Sequence, residues 1–88
     1  MKVIAKPVDV VAWFENKGII NPIKFRMACD DDSYKVIKID KVLLRDKEKI
    51  TGNIIQIFRC SSVINGVNKI YELKYEINTS KWMLFKIE

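Results

Sequence analysis

The sequence predicts an all-β fold: a small antiparallel barrel or strongly curled sheet of five to six strands, with room for one short helical turn, SH3-like or OB-like in size. Three observations predict it. Isoleucine and valine recur along the whole chain while alanine is scarce, which favours strands over long helices. Near the C-terminus Tyr71, Leu73, Tyr75 and Ile77 alternate with Glu72, Lys74 and Glu76, the period-two signature of a strand with one buried face. Short turn-forming clusters punctuate the chain at close spacing. Curling or closure follows, because an open sheet of this length leaves its edges unpaired.

Each element has its own warrant. Val8 to Phe14 reads as a strand behind Pro7, and Glu15-Asn16-Lys17-Gly18 as a turn. Pro22 to Met27 is a strand in which Ile23, Phe25 and Met27 alternate with Lys24 and Arg26. Asp30-Asp31-Asp32-Ser33 closes it. Tyr34 to Leu44 reads as one bent strand, although Ile39, Val42 and Leu43 also fit a helical face; β-branched content favours the strand. The alternating charges of Arg45-Asp46-Lys47-Glu48-Lys49 read as a solvated loop or a short helical turn.

Thr51-Gly52-Asn53 is a turn, and Asn53 to Ser62 a strand whose alternation breaks down, which predicts a bulge or burial on both faces. Asn65-Gly66 is the strongest turn signal in the chain and joins that strand to Lys69–Ile77. Asn78 to Lys81 turns into a last strand, Trp82 to Ile87. The expected core is Phe25, Val36, Phe58, Tyr71, Leu73, Tyr75, Leu84 and Phe85.

Composition bounds the rest. The 88 residues make one domain, 1–88, with 49% apolar and 31% charged residues, three glycines and two prolines, the profile of a folded chain. No stretch approaches the roughly 20 apolar residues that cross a bilayer. Met1 to Pro7 is charged too often to hold a signal-peptide core, so the expected location is cytoplasmic, with no membrane partner. In that compartment Cys29 and Cys60 read as small apolar fillers rather than a disulfide.

No pattern carries catalysis. The absence of histidine removes the commonest general base, the usual serine triad and most catalytic zinc sites. Gly18, Gly52 and Gly66 stand alone in separate turns, so no phosphate loop exists. Asp30-Asp31-Asp32 lacks the alternation, glycine and distant glutamate of a calcium loop and reads as a turn. The expectation is a non-enzymatic protein without cofactor or metal.

Two binding readings stay open. A net charge of +5 suits an acidic partner such as nucleic acid. That reading takes Lys24, Arg26, Lys38 and Arg59 as phosphate contacts and Trp13 as a stacking group, with Lys24 and Arg26 two apart on one strand face. Phe14, Tyr34 and Tyr71 are further aromatic candidates, against the plainer reading of aromatics as core. The alternative is a protein-interaction or oligomerisation module that accepts a partner strand at a barrel edge.

A longer pattern runs through the chain: Pro7-Val8-x-Val10, Pro22-x-x-Phe25, Tyr34-x-Val36 leading into Val42-Leu43, Tyr71-Glu72-Leu73-x-Tyr75-Glu76, and Thr79-x-Lys81-Trp82-x-Leu84-x-Lys86. It resembles a family of short, uncharacterised bacterial domains found alone or alongside Y-family, translesion-type DNA polymerase proteins. The resemblance implies a DNA-repair or nucleic-acid setting. It brings no activity and no functional residues with it.

Overall fold

A computed structural model describes residues 1–88 as seven strands and no helix. They are β1 (Lys2–Phe14), β2 (Ile20–Ala28), β3 (Tyr34–Lys38), β4 (Lys41–Ile50), β5 (Asn53–Ile64), β6 (Val67–Glu76) and β7 (Lys81–Ile87). All pairings are antiparallel, in the order β3-β2-β1-β7-β6-β5-β4. The sheet curls into a half-closed barrel.

Two strands do double duty, and they create the curl. β1 pairs with β7 from Lys2 to Val8, then with β2 from Asp9 to Phe14. β3 and β4 are the two ends of the sheet, yet only Ile39 and Asp40 separate them in sequence. Ile39 N–H donates to the Ile23 carbonyl on the β2 side, and Asp40 N–H to the Ser61 carbonyl on the β5 side. One bent strand therefore serves both edges. Arg45 draws β4 back toward β2: its guanidinium donates to the Ile20 carbonyl at 2.5 Å and to Asn21 Oδ1 at 2.8 Å.

Alternation along each strand sends one side chain set into the concave core. Phe25, Phe58, Cys60, Tyr71, Leu73 and Leu84 are fully buried there. Aromatic rings form a continuous line: Phe14 meets Tyr75 at 5.9 Å between centroids, Tyr75 meets Trp82 at 4.7 Å, and Trp82 meets Phe58 at 5.6 Å. Buried polar groups are paired. Ser62 Oγ donates to the Lys38 carbonyl at 2.6 Å, and with that hydrogen spent it accepts the Tyr71 hydroxyl at 2.6 Å. Burial pushes the Tyr71 hydroxyl pKa well above the ordinary tyrosine value.

The structure corrects several expectations. There are seven strands, not five to six, because the bent Tyr34–Leu44 run divides into β3 and β4. Arg45–Lys49 is neither loop nor helical turn; it continues β4, with Asp46 and Glu48 on one face and Arg45, Lys47 and Lys49 on the other. β1 begins at Lys2, ahead of Pro7, and carries a bulge at Ala5, whose φ is +46°. Val36 is 61% exposed and Phe85 only half-buried, so neither belongs to the core. Val36 lies opposite Arg26 on the outer face, and Phe85 is the extra residue at a bulge of β7, covered by Lys74 Nζ 3.6 Å from its ring centroid.

Other expectations appear as read. Asn65 (φ +52°) and Gly66 (φ +78°) make the two-residue turn whose positive φ values match the strand twist. β5 lies one strand in from the edge strand β4, and its middle is buried on both faces, with Phe58 and Cys60 inside and Ser61 buried on the other side. Cys29 and Cys60 are free; Cys60 is buried, while Cys29 is half-buried beside a turn.

Candidate nucleic-acid interface

The three-stranded end of the sheet positions the predicted basic residues. Val10, Phe25 and Ile37 form an inward row across β1, β2 and β3. The pleat therefore sends their neighbours outward. One outward row is Val11, Lys24 and Lys38; the next is Asp9, Arg26 and Val36. Trp13 follows on β1, 68% exposed, and Tyr34 sits one step along β3 from Val36. Three of the four predicted phosphate contacts and the predicted stacking group thus share one face.

Lys24 and Lys38 are directly opposed cross-strand partners. Residues so placed hold their Cβ atoms roughly 5 Å apart, and like charges there repel. No carboxylate forms a salt bridge with either one. The nearest acid on the face, Asp9, is committed to Arg26 at 2.8 Å. That hydrogen bond, reinforced by the Asp9 charge, raises the Arg26 pKa above its ordinary value. The Arg26 guanidinium also lies over the Tyr34 ring, 4.3 Å from its centroid. A shallow groove of about 420 Å³ runs between these rows, lined by Asp9, Val11, Lys24, Phe25, Arg26 and Val36.

The backbone beneath Lys38 is held firmly. Its carbonyl accepts the buried Ser62 hydroxyl, itself held by Tyr71. Aromatic core packing and the basic face are therefore coupled: Phe25, between Lys24 and Arg26 in sequence, packs its ring on Tyr71 at 5.4 Å.

Arg59 does not join this face. It lies on β5, four strands from β2 along the sheet, and its guanidinium binds Glu72 at 2.7 and 3.2 Å. Its charge is already answered. Tyr34, one of the further aromatic candidates, does lie on this face, and so does Val36, which the sequence placed in the core. The spacing Tyr34-x-Val36-x-Lys38 carried that signal, since residues two apart on a strand share a side.

Elsewhere the molecule offers little chemistry. No three carboxylate or thiol groups converge to hold a metal ion. Asp31 turns back on its own loop, where Oδ1 accepts from Ser33 N–H and Oγ–H and the carboxyl pKa is lowered. Burial pushes the Cys60 thiol up to about 12, the opposite of what a nucleophile needs. No helix is long and apolar enough to cross a membrane. Comparison with protein-family models, with curated proteins and with solved structures finds no match.

Proposed function

We propose that this chain is a non-enzymatic, cytoplasmic binding module that holds single-stranded nucleic acid on the outer face of β1, β2 and β3. One observation carries the reading: Lys24 and Lys38 are opposed on adjacent strands with no acid to neutralise them, beside exposed Trp13 and Tyr34. A like-charge pair costs folding free energy, and a phosphate lying between the two ammonium groups reverses that cost. Exposed rings beside a basic track suit bases that stack without sequence preference. The resemblance to domains that accompany Y-family polymerases fits such a role.

The test is fluorescence anisotropy of a labelled single-stranded oligonucleotide, titrated at low and moderate salt. Binding weakens steeply as salt rises, because neutralised phosphates release counterions. Lys24→Glu with Lys38→Glu weakens binding at low salt. The milder pair Lys24→Gln and Lys38→Gln flattens the log–log salt slope by about 1.4, two single-strand phosphates at about 0.7 each. Trp13→Ala costs about 1–3 kcal/mol of affinity if a base stacks there. Absence of binding at low salt defeats the reading and leaves the protein-interaction alternative, which draws on a separate feature of the fold.

A further inference from the structure

β1 changes partners midway, and the change leaves a gap. Its pairing with β7 ends at Val8 opposite Trp82, while its pairing with β2 runs on to Phe14. From Asp9 to Phe14, then, β1 has a neighbour on one side only. Six residues at about 3.3 Å each give an open edge of about 20 Å. The backbone orientation can be read. Glu15 N–H donates to the Ile19 carbonyl at 2.8 Å, and Pro22, which has no N–H, lies opposite Ala12. Bonding to β2 therefore alternates through Trp13 and Glu15, and Ala12 and Phe14 turn their N–H and C=O groups to the empty side.

The gap opens onto the largest cleft of the molecule, about 780 Å³. Val8, Val10 and Phe14 wall it from β1, Tyr75 from β6, and Trp82 and Met83 from β7. Phe14 points into it yet remains 53% exposed, its ring edge-on to Tyr75. The charged rim is balanced: Glu76 and Lys81 are cross-strand partners, and Asp9 is held by Arg26.

The other edges of this sheet look different. β4 carries Arg45-Asp46-Lys47-Glu48-Lys49, and the short β3 carries Lys35 and Lys38, the charged edges by which sheets avoid stray pairing. Val10-Val11-Ala12-Trp13-Phe14 has no charge at all, and Val11, Trp13 and Phe14 are exposed. An apolar, unguarded strand edge beside an apolar cleft is what strand addition uses.

We propose that this gap is a docking site for an extended, uncharged, apolar peptide segment of a partner protein, which adds a strand beside β1 from Val10 to Phe14. Only another extended backbone offers donors and acceptors at the alternating spacing of Ala12 and Phe14. Alternate guest side chains fall into the cleft among Phe14, Tyr75 and Trp82, and the others lie outward beside Val11 and Trp13. The neutral rim favours an uncharged segment over an acidic or basic one.

The probe is an acetylated, amidated heptapeptide alternating threonine and valine around a central phenylalanine, added to the whole ¹⁵N-labelled chain. The expected result is selective shift and slowed hydrogen exchange of the Ala12 and Phe14 amides, together with a shift of the Trp82 indole. A peptide N-methylated at alternate residues binds at least tenfold more weakly. So does the intact peptide with Val11→Glu, a charge at an exposed position opposite Lys24 that guards the edge without adding to the Lys24–Lys38 repulsion, the unfolding midpoint serving as the check that the fold is kept. Three results overturn the proposal. One is no shift at millimolar peptide; another is binding indifferent to N-methylation. The third is a concentration-dependent dimer in sedimentation that protects these same amides, which assigns the gap to a second copy. None of these outcomes depends on nucleic-acid binding.

Discussion

Cys60 and Tyr71 are cross-strand partners in the core, and both are acids kept neutral by burial. The consequence for pH follows from linkage. Each group has a folded pKa above its ordinary value, 9.0 for Cys60 and 10.0 for Tyr71. The unfolded chain releases these protons first, so the stabilisation is complete below pH 9 and is lost as pH rises toward the folded values. Each proton contributes a slope of about 1.4 kcal/mol per pH unit once its unfolded value is passed. Urea unfolding between pH 7 and 10 should show decline beginning near pH 9, and Cys60→Ala should delay the onset toward pH 10. By the same burial, Cys29 reacts with a thiol reagent in the native protein long before Cys60 does. Phe58→Ala should cost about 3–5 kcal/mol, seen as a lower urea midpoint. At this scale the core was legible where apolar residues stood in clear alternation, as at Tyr71, Leu73 and Tyr75. It failed at Val36, whose face is set by its partner Arg26, and at Phe85, which a bulge turns outward. Residue type alone reports neither partner nor bulge.

Turns were the most legible elements, because their chemistry is local. Asn65-Gly66 needs positive φ at both positions and has residues suited to it. Thr51-Gly52 makes the same kind of turn between β4 and β5, but puts a β-branched residue at φ +49°. That is an outlier for threonine. Thr51→Asn should therefore stabilise the protein, by about 0.5–1 kcal/mol on relief of part of the usual left-handed penalty, measured by urea or thermal unfolding. β4 shows why an element can hide. Its charges do alternate with period two, yet both faces are charged, so no apolar stripe marks the strand. Such a run reads as solvated loop until its partner β5 is known. The candidate face was legible to the same local degree: Lys24 and Arg26 share it by spacing, whereas Lys38 joins only through the β2–β3 register. Arg59 fell away because Glu72, distant in sequence, neutralises it.

The whole molecule depends on contacts that no local pattern announces. Ile39 and Asp40 let one strand leave β2 and join β5, and Arg45 holds the diverging strands together. Arg45 also lies over the inward ring of Phe58, 5.5 Å from its centroid. Arg45→Ala removes two charge-assisted hydrogen bonds and should cost about 1.5–3 kcal/mol. Arg45→Lys should recover only part of this, since an ammonium lacks the planar fork that reaches Ile20 and Asn21 together. Hydrogen exchange should then rise first at Ile39 and Asp40, the hinge of the curl. Curling itself was inferable from the need to manage edges; the place where the sheet stays open was not, because it is set by where β7 starts.

The pairing of β1 with β7 also fixes how the molecule bears load. Lys2 lies opposite Ile87, so the two ends of the chain leave the same end of one ladder. A force applied between them peels the rungs apart one at a time, instead of shearing several at once. Stretched between its termini, this protein should yield at low force by unzipping, starting at Lys2 and Ile87 and reaching Val8 and Trp82 last.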